Sequence, residues 1–250
     1  MNKINLNILI ILVVTLPLHA QDATEIVRKA DQLMRGESSY MEMKMTIIRP
    51  DWQREMTLKG WSKGRDRSLM VITAPARDKG TTFLMRDKEI WNWVPSIERT
   101  IKIPPSMMMQ SWMGSDFTND DLIKESSIVE DYHHTLLGTE TIRGYDCYKI
   151  EMTPKPEAAV VWGKIRIWIA KETYFQVQVE YYDEDGYLVQ TMNLSEFKKM
   201  DDRTIPTRLE MIPADPDKAG HKTVVEYLEA DFNIDIDDTF FSQQNMKRVR

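Results

Sequence analysis

Residues 75–103 read PARDKGTTFLMRDKEIWNWVPSIERTIKI, a run of short apolar segments separated by turn residues. Segments 83–85 and 90–94 flank the turn residues Asp87 and Lys88, and segment 97–103 follows after Pro95. Strand-length segments with such short connections pair side by side as an antiparallel meander. This stretch therefore predicts a β domain that is built from hairpins.

Two-residue alternation continues in both directions from this stretch. Upstream, Met41, Met43 and Met45 alternate with polar residues. Downstream, the sequence Asp-Glu-Asp-Gly at 183–186 is a hairpin signal between two such segments. Residues 22–35 differ, because their apolar residues recur at helical spacing. We predict one N-terminal helix followed by about eleven strands.

A single antiparallel sheet of this size must curl to protect its edges and to cover one face. One helix and a short helical segment cannot cover that face tightly. The predicted fold is therefore mainly β (α+β): a curved sheet that forms a half-open barrel, with helices and the irregular segment 104–131 plugging its concave apolar face. A curled sheet of this kind can hold a ligand cavity. Nothing in residues 21–250 indicates a domain boundary.

The first twenty residues have the pattern of an export signal. A short basic start is followed by the apolar run 4–18 and by Ala20. This pattern predicts a secretory signal peptide over 1–20, cleaved before Gln21, and hence a periplasmic protein of a Gram-negative bacterium. The alternative is a membrane anchor, but the run is shorter than the ~20 apolar residues that span a bilayer.

The composition excludes several classes of function. The net charge of −6 argues against nucleic acid as a partner. The lone cysteine, Cys147, lies in a strand pattern, which predicts a buried core residue rather than a nucleophile. His133 and His134 are strand neighbours that point to opposite faces, so they cannot chelate one metal together. We predict no catalytic residues, no metal and no cofactor.

Methionine is abundant, with 17 Met against 7 Phe, and it suits surfaces that repack around ligands of variable shape. Alternation places a set of apolar side chains on one face of the first hairpin, and two tryptophans that flank Asn92 share one face of a later strand. Ordinary core packing is the alternative for these tryptophans. The candidate cavity residues are Met41, Met43, Met45, Met56, Leu58, Trp91 and Trp93.

A second apolar cluster follows the two prolines at 104 and 105 and ends at Gly114. Its members are Met107, Met108, Met109, Trp112 and Met113. Chain breakers at both ends predict a lid that moves as a unit over the cavity; a fixed core plug is the alternative. The acidic residues that come next lack the spacing of a calcium loop. Helix capping at Ser115 or Thr118 is the preferred interpretation.

Four stretches stand out together: PARDKG at 75–80, WNWVP at 91–95 with Arg99, GSDFTNDDL at 114–122, and segment 187–196. In these stretches the chain resembles the outer-membrane lipoprotein-sorting protein family, the LolA-like superfamily to which LolA, LolB and RseB are related. The resemblance covers essentially all of residues 21–250. It implies a curved sheet of about eleven strands, with helices on the concave side, that encloses an apolar cavity for acyl chains.

These observations predict a monomeric periplasmic carrier that binds lipid or lipoprotein acyl chains and moves them towards the outer membrane. An inner-membrane transporter or an outer-membrane acceptor would be its protein partner. The first alternative is a lipid-sensing accessory subunit of an envelope transport or stress-response system. The second is a hydrolase of lipid-like substrates.

Overall fold

The computed structural model describes residues 22–87, 89–123 and 128–249, with the side chains of 122 and 123 left out. The predicted signal peptide, residues 1–20, lies outside the described residues. Among the described residues, no helix is both long enough and apolar enough to span a bilayer.

Within the part of the chain that the structure describes there are two α-helices and thirteen strands. They are α1 Ala23–Arg35, β1 Ser38–Arg49, β2 Trp52–Lys63, β3 Arg67–Ala74, β4 Thr82–Arg86, β5 Glu89–Val94, β6 Arg99–Lys102, α2 Asn119–Ile123, β7 Tyr132–Ile142, β8 Tyr145–Pro154, β9 Lys164–Ala170, β10 Gln176–Tyr182, β11 Leu188–Met200, β12 Arg203–Pro213 and β13 Lys222–Phe232.

All thirteen strands form one antiparallel sheet in the order β6-β5-β4-β3-β2-β1-β13-β12-β11-β10-β9-β8-β7. The chain starts in the middle at β1, runs to the β6 edge, crosses to the β7 edge and returns to β13 beside β1. The prediction of a mainly β, curved antiparallel sheet is confirmed. The sheet has thirteen strands, two more than predicted.

Helix α1 begins and ends where its sequence dictates. The Asp22 side chain accepts a hydrogen bond from the backbone N–H of Thr24 at 2.9 Å and caps the first turn. Gly36 follows the last turn with φ of 65°, which suits a residue without a side chain. Ile26 and Val27 lie on the buried face. The helix therefore packs one apolar stripe onto the concave face of the sheet.

The main core lies on that concave face. In the first hairpin, Met45 lies opposite Met56, and Met43 lies opposite Leu58. All four are buried in the same cluster as the apolar face of α1. Cross-strand pairs on one face are the unit of sheet stabilisation. The first hairpin therefore forms the apolar surface against which α1 and the β6–β7 connection pack.

The β6–β7 connection must cross the concave face, since β6 and β7 are opposite edges of the sheet. We call residues 103–123 and 128–131 the crossover segment. Trp112, Phe117 and Val129 of this segment are buried in the concave-face core. The sheet topology thus supplies the plug that the sequence predicts for this face.

The convex face has a cover of its own over β2–β5. Residues 233–249, which we call the C-terminal strap, run back beneath the sheet after β13. Phe241 and Met246 of the strap are fully buried in a second cluster with Leu69 and Leu84. Lys63 Nζ donates to the backbone carbonyl of Ile236 at 2.7 Å. This half of the sheet is therefore apolar on both faces.

Candidate functional site

A cavity of about 200 Å³ lies between α1, the crossover segment and the concave face of the sheet. One wall comes from β1–β4 and the other from β8–β13. The apolar side chains of the second wall include Met152, Ile165, Ile167, Val179, Met192, Leu209 and Val225. Phe117 of the crossover segment and Met34 of α1 close the remaining sides. The cavity is thus an apolar space bounded by four parts of the chain: α1, the crossover segment and the two walls of the sheet.

Methionine dominates the lining. Seven of the 17 methionines face the cavity: Met34, Met41, Met43, Met70, Met85, Met152 and Met192. An unbranched thioether side chain changes rotamer at little cost and packs against many shapes. The walls can therefore adjust to a guest more readily than walls of branched or aromatic residues.

The candidate residues of the first hairpin divide into two groups. Met41 and Met43 line the cavity. Met45, Met56 and Leu58 lie on the same concave face but are fully buried and are not among the lining residues. These three side chains belong to the buried core beside the residues that line the cavity.

Trp91 and Trp93 lie on the convex face, so their assignment to the cavity is corrected. In the sheet register Ile90 lies opposite Met85, a cavity residue, and Trp91 lies opposite Leu84. Both tryptophans pack in the convex-face cluster that the C-terminal strap covers, and Lys247 Nζ lies 5.1 Å from the ring centroid of Trp93. Alternation indicates that the two side chains share a face, but it does not say which face is concave.

The five candidate lid residues are split between core and surface. Trp112 is buried and packs on Phe83 with ring centroids 5.2 Å apart, and Met108 is also buried. Met107 and Met109 are 36% and 48% exposed. Met113 is half-buried against the core. The backbone here forms two separate 3₁₀ turns, at Pro105–Met107 and Trp112–Gly114, so only part of the cluster faces the interior.

One ion pair ties the crossover segment to the centre of the sheet. Arg49 Nη1 lies 2.9 Å from Asp116 Oδ2, and the two side chains are only 11% and 6% exposed. The same carboxylate accepts a hydrogen bond from Thr223 Oγ1 at 2.7 Å. Arg49 also donates to the carbonyl of Gly114 at 3.0 Å, and Arg54 donates to that of Met113. The tip of the crossover segment is thus held by β1, β2 and β13 together.

Hydrogen bonds within the crossover segment give it a defined shape. Ser111 and Thr118 form an isolated antiparallel bridge. The N–H of Trp112 donates to the carbonyl of Phe117 at 2.8 Å. Asn119 Nδ2 donates to the carbonyl of Met107 at 2.8 Å. Residues 111–118 therefore form a compact loop, which places Trp112 and Phe117 together over the core.

A buried carboxylate, Asp121, lines the cavity beyond this loop. Thr118 and Asp121 cap α2 reciprocally: Asp121 Oδ2 accepts from the N–H of Thr118 at 2.8 Å, and Thr118 Oγ1 accepts from the N–H of Asp121 at 3.1 Å. The predicted cap at Thr118 is confirmed. Trp162 and Gln190 also donate to this carboxylate, at 3.0 and 3.2 Å. Burial raises the pKa of Asp121, and these hydrogen bonds offset only part of that effect.

The opposite end of the cavity is also polar. Asp31 and Arg35 line it where α1 ends, and Ser62 and Ser68 line it from β2 and β3. These residues and Asp121 were not among the candidates from sequence, because no local pattern brings α1, β3 and α2 to one cavity. The apolar space therefore has a polar group at each end.

Within residues 22–87, 89–123 and 128–249 there is no group of three or more His, Cys, Asp or Glu side chains that could hold a metal ion. Cys147 is fully buried with Trp168 and Val177, as predicted. Burial raises the pKa of its thiol to about 11, which keeps the thiol protonated at neutral pH.

The chain is similar to known structures over most of its length. It is 26% identical to a DUF1329 family protein from Desulfovibrio piger, with a TM-score of 0.81 and coverage of 90% of this chain and 97% of that one. It is also 26% identical to a LolA superfamily protein from Nitrosomonas europaea, with a TM-score of 0.78 and coverage of 90% and 99%.

A third solved structure, a Vibrio parahaemolyticus domain assigned to outer membrane lipoprotein sorting, is 22% identical with a TM-score of 0.77. It covers 90% of this chain and 98% of its own, and at this identity it supports the fold alone. A family model described as that of an uncharacterized protein matches residues 64–248. No curated protein matches the chain.

Proposed function

We propose that the chain, which belongs to the family whose model matches residues 64–248 and has the LolA-like fold, is a periplasmic carrier of lipid or lipoprotein acyl chains. The apolar cavity enclosed by a methionine-rich wall supports this proposal most directly. Acyl chains would enter the cavity and leave it again on the way to the outer membrane. Such a carrier holds its cargo by burial, so the proposal requires no catalytic step.

Transfer of an acyl chain out of water supplies the driving force. Each buried CH₂ contributes about 0.8 kcal/mol, so a chain of ~14 carbons gains roughly 10 kcal/mol before the costs of ordering the chain and the protein. The gain does not depend on the direction or identity of individual contacts. A flexible apolar wall can therefore accept chains of different length and branching.

The cavity must enlarge to take such a chain. Its volume of about 200 Å³ is below the roughly 300–1,000 Å³ of ordinary small-molecule sites. Two changes could supply the extra space. The lining methionines can change rotamer, and the crossover segment can lift from the core. The proposal therefore keeps a movable cover, with Met108, Trp112 and Phe117 as the buried residues that would leave the concave-face core.

Binding of a fluorescent fatty acid analogue, and its displacement by phospholipid or lipopeptide, tests the proposal. Met43 is buried, lines the cavity and lies opposite Leu58. Met43→Glu should weaken binding about tenfold or more, because an unpaired carboxylate in an apolar cavity is costly to desolvate. The matched control is Leu228→Glu, which places the same charge at a position of β13 that is 53% exposed.

The control variant should bind the probe like the unaltered protein. Unchanged affinity in a folded Met43→Glu protein, checked by circular dichroism, would rule out binding at this wall. Native mass spectrometry of protein purified from a periplasm gives an independent result. Co-purified lipid supports a carrier, whereas turnover of that lipid would show an enzyme instead.

The proposed location follows from residues 1–20 and from the family. If they form a cleaved signal, intact mass measurement in a Gram-negative host should give a chain that begins at Gln21 and fractionates with the periplasm. A chain retained in the membrane fraction with residues 1–20 intact would overturn this location. The proposed protein partners, an inner-membrane transporter and an outer-membrane acceptor, depend on the same result.

A further inference from the structure

The two edges of the sheet differ in how well they are protected from other chains. The β6 edge has four residues, carries Arg99 and Lys102, and is followed by prolines at 104 and 105. Short length, charged side chains and proline all keep a sheet edge from pairing with another strand. The β7 edge has eleven residues, of which Glu140 is the only Asp, Glu, Lys or Arg, and it contains no proline. A long edge with few of these protections is therefore present at β7.

The outer side of β7 is accessible. Among the residues that the structure describes, β7 pairs with β8 alone. Every residue from Thr135 to Thr141 is exposed except Gly138. Leu136 and Leu137 are 37% and 46% exposed. Backbone N–H and C=O groups on an open strand, next to exposed apolar side chains, favour the addition of a further strand.

A β-bulge divides β7 near its centre. The β7–β8 register shifts between Leu136 and Gly138, so Leu137 is the extra residue. A bulge interrupts the ladder of hydrogen bonds and hinders pairing with a long regular strand. It leaves two regular segments of similar length, 132–136 and 139–142. A strand that pairs with both segments must therefore have an interruption of its own at the same place.

The β7 strand of a second copy meets this requirement when the two strands run antiparallel. A two-fold axis then passes through the two bulges, and segment 132–136 of each copy lies opposite segment 139–142 of the other. In that register Leu136 lies opposite Thr139, His134 opposite Thr141, and Thr135 opposite Glu140. No like charges face each other, and the exposed leucines of both copies meet at the axis. The strand is thus complementary to itself.

The other edge-to-edge contact, β7 of one copy on β6 of the next, is disfavoured. The β6 edge has four residues against eleven in β7, and it is basic. Such a contact would also be heterologous, and heterologous contacts that do not close into a ring build filaments. The protected β6 edge prevents this growth, whereas contact between two β7 strands closes on itself as a dimer.

From these features we propose that two copies of the chain pair through β7 and form a dimer with one continuous sheet. The two-fold axis is perpendicular to the sheet, so the concave faces of both copies lie on the same side. Both cavities therefore lie on one side of the joined sheet. This inference does not depend on the proposed carrier function. It replaces the monomer predicted from the sequence with an assembly of two copies.

Sedimentation velocity of the purified protein over a dilution series tests the dimer. Leu137→Lys brings two ammonium groups together at the two-fold axis, so it should raise the dissociation constant of the dimer about tenfold or more. Leu137→Glu should do the same with two carboxylates. An equimolar mixture of the two variants should recover the dimer, because opposite charges then meet. The matched control is Leu228→Lys, at a position of the central strand β13 that is 53% exposed, and it should sediment like the unaltered protein.

Disulfide cross-linking checks which strand forms the contact. Leu137→Cys should form a disulfide between two copies under mild oxidation, because the two positions lie within one residue of each other across the axis. Leu228→Cys should remain uncross-linked. Cys147 is fully buried, so it adds no background to either measurement.

Each result decides the proposal. Recovery of the dimer on mixing supports it, since recovery shows that both variants are folded and that residue 137 lies at the contact. A protein that is monomeric at every concentration would overturn it. A dimer that neither charged variant weakens would place the contact away from β7, and assemblies that grow beyond two copies would show β6–β7 pairing. Either of these results would refute the β7 dimer and leave the proposed carrier function untouched.

Discussion

Replacement of Asp116 should open the crossover segment, because its carboxylate joins that segment to two central strands. It accepts from Arg49 at 2.9 Å and from Thr223 at 2.7 Å, and both charged side chains are largely buried. Removing one partner of a buried ion pair typically costs 3–5 kcal/mol. The lower value of about 3 kcal/mol is expected for Asp116→Ala, since Arg49 retains the carbonyls of Ile48 and Gly114 as acceptors.

This loss of free energy determines how much of the protein has an open crossover segment. A tenfold change in an equilibrium corresponds to about 1.4 kcal/mol, so weakening the closed state by about 3 kcal/mol raises the open fraction roughly 100-fold. If cargo enters only the open state, the association rate and the apparent affinity of an acyl probe should rise by the same factor. Asp116→Asn keeps an acceptor oxygen and should give a smaller effect in the same direction.

The assay combines hydrogen exchange, urea unfolding and stopped-flow probe binding. Amides of the crossover segment, such as that of Trp112, should exchange about 100-fold faster in Asp116→Ala, in step with the fall in the free energy of unfolding. Glu89→Ala, which removes an exposed ion pair with Lys102, is the control and should change neither. A clear loss of stability with an unchanged rate of probe association would refute the gating role, since the ion pair would then hold the fold and not the entrance.

The remaining predictions concern the crossover segment and the acidic end of the cavity. Met108→Ser should lower the free energy of unfolding in urea by roughly 2 kcal/mol and increase binding of a hydrophobic dye. Met109→Ser, at an exposed position, should do neither. Equal effects of the two substitutions would contradict the burial described above. Because burial raises the pKa of Asp121 above its ordinary value of 3.8, its ionisation penalises the folded state only as pH rises through that raised value. The stability of Asp121→Asn relative to the unaltered protein should therefore be greater at about pH 7 than at about pH 4, and a difference that does not change with pH would contradict this account.

Features that depend on local sequence were predictable. The helix follows from apolar residues at helical spacing, with Asp22 at one end and Gly36 at the other. The strands follow from alternation, and the cap at Thr118 follows from the spacing of Thr118 and Asp121. Each of these features is decided within a few residues, so no knowledge of the remaining chain was needed.

The position of Trp91 and Trp93 was not predictable in this way. Alternation normally separates an apolar face from a solvated one, but β4 and β5 are apolar on both faces. The reason is the C-terminal strap, which buries Leu84 and shields the tryptophans from the convex side. Residues some 150 positions away thus decide which environment these side chains have. The same holds for Arg35 and Asp121, which share a cavity although they belong to different helices.

The sheet order also limits how the cavity can open. The crossover segment is fixed at both ends by edge strands: the N–H of Ile103 donates to the carbonyl of Ile90 at 2.8 Å, and Tyr132 begins β7. Its tip is attached to β1, β2 and β13. Helix α1, the other cover, is attached to the far half of the sheet, where Arg203 donates to the carbonyl of Gln32 at 3.3 Å.

The two covers of the cavity therefore have separate attachments. Lifting the tip of the crossover segment breaks the bonds of Asp116 and uncovers Phe83 and the apolar floor, and it leaves the contacts of α1 with the far strands in place. Moving α1 instead would break the ion pair of Asp31 with Arg65 and the bond of Arg203 to Gln32. The crossover segment is therefore the cover that can move while α1 stays in place.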